Sequence, residues 1–360
     1  MGTLFEYLDW RGDLRFSEVE LCEVDSLILS AISYLDFDGI VPSVGEDGSV
    51  TYLEAMRAYL KMNNGKPALG KFFPPETVAV AVRAAKTRRY AGIRLSHYVC
   101  ETDTESTKQF AAVTFRVTKD KYFVAFRGTD DTLIGWKENF NMSFMLPVPA
   151  QIAAEQYFGR VAEDIKGKFY LGGHSKGGNL AVYSAVRADS EVKERIINVF
   201  SNDGPGFDKD FINGNDYAEI KDRIRTIVPQ SSVVGMLLEH EENYEVVKSA
   251  ATGLLQHHGH TWEVMGGSFL HLDTVTEDSK LIDGKLKAWL DAMTPEEREK
   301  FVDTVFETLS STNAKTLTEL TSEKVKLVKA WNSLDPSTRS VILKCISILI
   351  KHNAITIVKK

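Results

Sequence analysis

Cysteine is scarce in this chain of 360 residues. Cys22, Cys100 and Cys345 stand far apart, with no C-x-x-C pair. That excludes a disulfide framework and a thiolate zinc site, and buried free thiols in a reducing cytoplasm are the expectation. An excess of basic charge is missing too. There are 43 Lys and Arg against 50 Asp and Glu, a net charge of -7. No electrostatic footprint for nucleic acid or an anionic membrane follows from that balance. No apolar run approaches the roughly 18 residues of a membrane span. The first residues, MGTLFEYLDW, carry acids early and have no basic stretch ahead of an apolar core, unlike a secretory signal. A cytoplasmic protein is expected. Nothing in the sequence implies a cofactor.

What is present divides into three stretches. Residues 1–92 read as helical, with an apolar stripe from Glu18 to Leu35 (Leu21, Val24, Leu27, Ile28, Ile32, Leu35) and further helices over Thr51–Met62 and Pro75–Lys86. Residues 93–272 change character. GIRLSHYVCE, QFAAVTFRV and YFVAFRG are short, β-branched and aromatic, and Thr118–Lys121 predicts a hairpin between the last two. Strands at Lys168–Leu171, Ile196–Ser201, Arg225–Val228 and Glu242–Lys248 then alternate with helices over Ala150–Ile165 and Lys176–Arg187. That pattern predicts an α/β fold, a largely parallel sheet between helices. Residues 273–360 again read as helices: Lys280–Met293, Pro295–Ser310, Thr321–Leu334 and Pro336–His352.

The chemistry concentrates at Gly173-His174-Ser175-Lys176-Gly177, a G-x-S-x-G between a strand and a helix. This is the setting of a nucleophile elbow, in which the serine takes a strained backbone conformation and glycines stand two residues either side. An elbow serine needs two oxyanion donors. One is the N–H of the next residue, Lys176, at the positive end of a helix. The strand YFVAF followed by Arg127-Gly128-Thr129 offers the other, the Thr129 N–H. Arg127 is expected to tie this loop to Asp130 or Asp131.

A histidine base should follow the acid in chain order. His257, His258 and His260 form the main histidine cluster, in LQHHGHTWEV. A metal site there would lack companion ligands at suitable spacing, so no metal is expected. For the acid, Asp203 in NVFSNDGPGF follows a strand end, where active-site groups of open parallel sheets gather. Asp203 could equally cap the turn.

Phe126-Arg127-Gly128-Thr129, then Trp136 and Asn139, then Gly173–Gly178, resemble the lipase class 3 branch of the α/β-hydrolases. Arg127–Phe144, Leu171–Leu180, Ser201–Phe207, Val228–Leu238 and Gln256–Val264 resemble a bacterial Mbeg-like subgroup of that superfamily, as does SYLDFDGIVP (Ser33–Pro42). The resemblance implies an α/β-hydrolase core over roughly residues 90–270, to which the sequence pattern adds a helical N-terminal segment and a helical C-terminal extension. It implies an ester or thioester hydrolase with a small acyl ester or lipid-like substrate. It points to His257, two positions before Gly259, as the base, with His258 and His260 as rivals. It also implies an aspartate after Arg225–Val228, where this chain has Ser231 and Ser232. Asp203 as the acid, or a dyad with Ser232 orienting the imidazole, remain open. His174 is expected to orient the loop rather than move a proton. Trp136, Ser232 and Met236 are candidate substrate contacts. The alternative is an α/β-hydrolase-like binding or regulatory module without hydrolysis.

Overall fold

Helix α1 (Leu4–Arg11) opens the chain, capped by the Thr3 and Glu6 box. The computed structural model describes residues 2–65, 74–238, 244–291, 293–312 and 314–322, with isolated positions between 331 and 340. Helix α2 (Glu23–Ile32), β1 (Val50–Thr51), α3 (Tyr52–Met62), α4 (Pro75–Ala84) and α5 (Arg88–Ala91) complete the N-terminal stretch. Next come β2 (Arg94–Asp103), β3 (Lys108–Arg116), β4 (Lys121–Phe126), α6 (Leu133–Asn141), α7 (Pro149–Asp164), β5 (Lys168–His174) and α8 (Lys176–Arg187). Then follow α9 (Ser190–Lys193), β6 (Ile196–Asn202), α10 (Lys209–Ile212), α11 (Asn215–Ala218), β7 (Ile224–Pro229) and β8 (Glu245–Val247). Three short strands, β9 (Val264–Met265), β10 (Ser268–Phe269) and β11 (His271–Leu272), lead into α12 (Glu277–Asp291), α13 (Pro295–Ser310) and α14 (Leu317–Ser322).

The main sheet runs β1-β2-β3-β4-β5-β6-β7-β8-β11. Neighbours from β4 to β8 pair in parallel, while β1 to β4 and the β8–β11 pair are antiparallel. The sheet is therefore mixed, with its parallel half where strands and helices alternate. The hairpin predicted at Thr118–Lys121 joins β3 to β4. Strand order, the parallel run and the sharp turn from β5 into α8 make this an α/β-hydrolase fold.

Central strands such as β3 are buried on both faces, which explains their continuous apolar runs. On one face, Val113, Phe115, Phe123, Ala125, Tyr170 and Phe200 pack with Leu27, Ile28, Ile32 and other residues of the N-terminal helices. On the other, Val124, Phe126 and Leu171 pack with Ala154, Phe158 and Val161 of α7 and Leu180 and Ala181 of α8. The N-terminal stretch thus forms one layer of the sandwich and shares its core. A smaller cluster of Leu133, Val302, Phe306, Ala314 and Leu320 joins α13 to α6.

The helix expected from Glu18 begins only at Glu23. The guanidinium of Arg89 explains the later start, because it donates to the carbonyls of Leu14, Val19 and Glu20 and holds them in a loop. Arg89 also pairs with Asp25 at 2.6 Å, both fully buried, and Asp25 accepts from the hydroxyls of Tyr7 and Tyr90. Cys100 is exposed rather than buried. Cys345 lies outside the described residues, as does most of the two helices expected over Thr321–Leu334 and Pro336–His352. Glu242 and Asn243 of the strand expected at Glu242–Lys248 also lie outside them. No helix among the described residues is long and apolar enough to cross a membrane.

Removing one partner of a fully buried pair strands the other charge, at a cost of about 3–5 kcal/mol. Asp25→Ala is expected to lower the unfolding free energy by that much in urea titration. Asp9→Ala breaks only the exposed pair with Arg83, and should cost about 1 kcal/mol or less. Equal losses for the two variants would contradict the assignment of Asp25 as a core anchor.

Candidate active site

Ser175 stands between β5 and α8 with φ 59° and ψ -133°, a backbone conformation costing about 1–3 kcal/mol in a non-glycine residue. Its neighbours have no space for side chains. A Cβ on Gly173 would lie 2.2 Å from the main chain of Gly177, and one on Gly177 would lie 2.1 Å from the Phe126 carbonyl oxygen. Main-chain bonds then fix the turn: Ser175 N–H donates to Asn202 O, and Gly178 N–H to Ser175 O.

Asp203 follows β6 and also has positive φ, 52°. Its N–H donates to Ile227 O at 2.8 Å, and its side chain is fully buried. Oδ2 lies 2.6 Å from Nδ1 of His257. Oδ1 accepts from Ser232 Oγ at 2.5 Å and from Gly235 N–H at 3.1 Å. Asn179 of α8 donates to the carbonyls of Pro205 and Gly206 and accepts from Gln151, which ties the Asp203 loop to α7 and α8. Ser232 therefore braces the carboxylate and does not itself orient the imidazole.

The His257 loop is fixed in the same way. The Trp262 indole, fully buried, donates to Gln256 O, and Gln256 accepts from Ser231 N–H. A Cβ on Gly259 would lie 2.7 Å from Leu27 of α2, so this loop rests on the N-terminal layer. The carboxylate at Nδ1 fixes the proton there and leaves the lone pair on Nε2. His258 and His260 instead face one another, rings stacked with centroids 5.8 Å apart. His174, next to Ser175, donates through Nε2 to His257 O at 2.6 Å, and its ring lies 4.6 Å from that of His257. Burial and the neighbouring imidazole hold His174 well below the ordinary histidine range.

Arg127 pairs with Asp130 at 3.2 Å, not with Asp131. Asp130 in turn accepts from the N–H and hydroxyl of Thr132, shaping the Gly128-Thr129 loop. Thr129 is buried, and its Oγ1 has no hydrogen-bond partner among the described residues. Lys176 is the unforeseen feature. Its side chain is fully buried, and Nζ donates to Glu138 Oε2 at 2.8 Å and to the Gln109 carbonyl and side-chain oxygens. Glu138 also accepts from Gln109 N–H and Ala150 N–H. A lysine opening KGGNLAVYSAV, a helix with no other charged residue in that stretch and buried throughout it, is the sequence signal that could have pointed to a buried carboxylate.

Trp136 is about one-third exposed on α6. Met236, a candidate substrate contact, is buried in a small cluster with Val228, Val246 and Val275. Among the described residues, one group of acidic and histidine ligand atoms lies close enough to share a cation: Glu23, Glu245 and His271. Arg225 already pairs with both acids, which makes the group an ion-pair network.

The model of the Mbeg1-like family matches residues 84–307 of this chain. Among solved structures, the chain is similar to lipase II from Rhizopus niveus, at 14% identity and TM-score 0.39, covering 63% of this chain and 80% of the lipase. It is also similar to the Rhizomucor miehei lipase propeptide complex, at 16% identity and TM-score 0.33, covering 44% and 57% of the two chains. No curated protein matches the chain.

Glu138→Ala is expected to destabilise the fold by about 3–5 kcal/mol in urea titration, because it strands the Lys176 ammonium. A change below 1 kcal/mol would contradict that. A second expectation concerns pH. Burial, with the charges of His257 and His260, pushes His258 down to about 4. The unfolded chain then binds more protons below the ordinary value of 6.5, so stability falls as pH drops from 6.5 towards 4. His258→Gln should flatten that part of the profile, read as the urea midpoint from about pH 7 to 4.5. An unchanged slope would rule His258 out as a contributor.

Proposed function

The chain belongs to the Mbeg1-like family, and from that premise we propose that it is a serine hydrolase cleaving a carboxylic ester or thioester through an acyl-enzyme on Ser175. The observation that carries the reading is the 2.6 Å contact of His257 Nδ1 with buried Asp203, the His257 ring lying 4.6 Å from that of His174, the residue before a serine held at φ 59°. Nε2 of His257 takes the proton of Ser175 Oγ as the oxygen attacks the carbonyl carbon. The N–H groups of Lys176 and Thr129 stabilise the tetrahedral oxyanion, and the unpartnered Thr129 hydroxyl supplies a further donor. Asp203 holds the tautomer of His257 and stabilises the imidazolium. His257 then protonates the departing alcohol or thiol, and a water activated by the same imidazole releases the acid. Exposed Trp136 and Phe140 on α6 offer apolar surface for an acyl chain.

A second reading, a binding or regulatory module, draws on the packing of α13 against α6, the segment that follows Thr129. Reaction with a fluorophosphonate separates the two. On the hydrolase reading the wild type labels at Ser175, and Ser175→Ala does not label. Turnover of a p-nitrophenyl ester should fall about 10⁶-fold in Ser175→Ala and about 10⁴-fold in Asp203→Asn. Thr129→Val should lower it about 10²-fold. A folded wild type that neither labels nor turns over would leave the binding reading standing.

A further inference from the structure

Tyr34 lies just beyond α2, in the N-terminal layer, yet its hydroxyl sits at the elbow. It lies 3.2 Å from Nδ1 of His174. The main chain of Gly128 hydrogen-bonds the same hydroxyl, and a Cβ on Gly128 would lie 2.2 Å from it. The other nitrogen of His174 is 2.6 Å from the carbonyl oxygen of His257. A carbonyl only accepts, so Nε2 of His174 carries the proton. Nδ1 of the neutral ring is then a lone pair, and Tyr34 is its O–H donor. Three hydrogen bonds thus run from the Gly128 main chain through Tyr34 and His174 to the main chain of His257.

We propose that Tyr34 and His174 are positioning residues for His257: His174 holds its main-chain carbonyl, and Tyr34 holds His174 in the tautomer that does so. The proposal rests on the reading of His257 as the base of a serine hydrolase. Two physical points support it. The His174 and His257 rings are 4.6 Å apart, so a charged His174 would oppose the imidazolium that forms on His257. A hydroxyl donating to Nδ1 favours the neutral ring, and burial acts in the same direction. The second point concerns His257 itself. Asp203 fixes one ring nitrogen, but a single contact leaves the ring free to swing about it. The bond to the His257 carbonyl and the ring face of His174 remove that freedom on the side of His174.

The test uses the full chain and four variants: Tyr34→Phe, His174→Phe, His174→Gln and the double Tyr34→Phe/His174→Phe. His174→Phe keeps a ring face and loses the donor, while His174→Gln keeps a donor. Hydrolysis of p-nitrophenyl butyrate should show kcat down about 10–100-fold in His174→Phe with KM little changed, since misplacement of a reacting group acts on the chemical step. His174→Gln should recover most of that loss. The double variant should be no worse than His174→Phe, because Tyr34 acts through His174. In protein labelled with ¹⁵N-histidine, the ring nitrogen shifts of His257 should move in His174→Phe and Tyr34→Phe and return in His174→Gln. Unchanged kcat and unchanged His257 shifts in His174→Phe overturn the proposal, as does a His174→Gln variant as impaired as His174→Phe. A wild type that fails to label with fluorophosphonate defeats the hydrolase reading alone. The His257 shifts then decide the positioning: movement in His174→Phe upholds it and constancy overturns it.

Discussion

The carboxyl end of the sheet is organised by a lack of clearance at the elbow. Gly173, Gly177 and Gly178 bring α8 so close to β4 and β6 that a Cβ on Gly177 would meet the Phe126 carbonyl and one on Gly178 would meet Ser201 Oγ. A helix this close aims its first N–H groups at the space above Ser175. It also leaves the next side chain, Lys176, nowhere to go but inward. An ammonium without water needs a carboxylate, and Glu138 of α6 supplies it. Helix α6 is thereby fixed to α8, and the Thr129 loop that leads into α6 is fixed with it. One steric constraint propagates through one ion pair to both the start of α8 and the Thr129 loop, the two segments proposed to hold the oxyanion.

Among the described residues, fully buried pairs stand in both layers, Asp25–Arg89 on one face of the sheet and Lys176–Glu138 on the other. Apolar residues of similar volume would stabilise the fold at least as well. What the charges add is direction. Arg89 gathers three carbonyls and so sets where α2 begins. Glu138 gathers two N–H groups and a lysine and so sets where α6 sits. Glu23 does the same at the far edge, accepting from Ser268, Phe269, His271 and Arg225.

Local pattern carried much of this architecture. The elbow, the hairpin at Thr118–Lys121 and the start of α13 at Pro295 were all legible, because each depends on residues within a few positions of one another. Asp203 was legible as a strand-end carboxylate, but its competition with Ser232 was not resolvable in sequence. The two residues are 29 positions apart, and the structure shows them hydrogen-bonded rather than alternative. Glu138 and Tyr34 were missed for the same reason. Their partners lie 38 and 140 positions away, and no local periodicity marks a residue whose only distinction is a remote contact. The start of α2 was misplaced because a guanidinium from α5 took carbonyls that the apolar stripe assigned to a helix.

Helix α6 is held from two sides by forces of different kinds. Inward, Glu138 meets Lys176 at 2.8 Å, with both side chains fully buried. Outward, Phe140 meets Phe306 of α13, and Leu133 joins Val302, Phe306, Ala314 and Leu320. Contacts of that sort are non-directional and scale with apolar area. Across this face the ion pair of Lys137 with Asp303 is partly exposed and contributes about 1 kcal/mol or less, and the Arg298 guanidinium donates to the Ser143 carbonyl. The elbow side of α6 is therefore held by a directional buried pair, and its outer side by apolar area shared with α13.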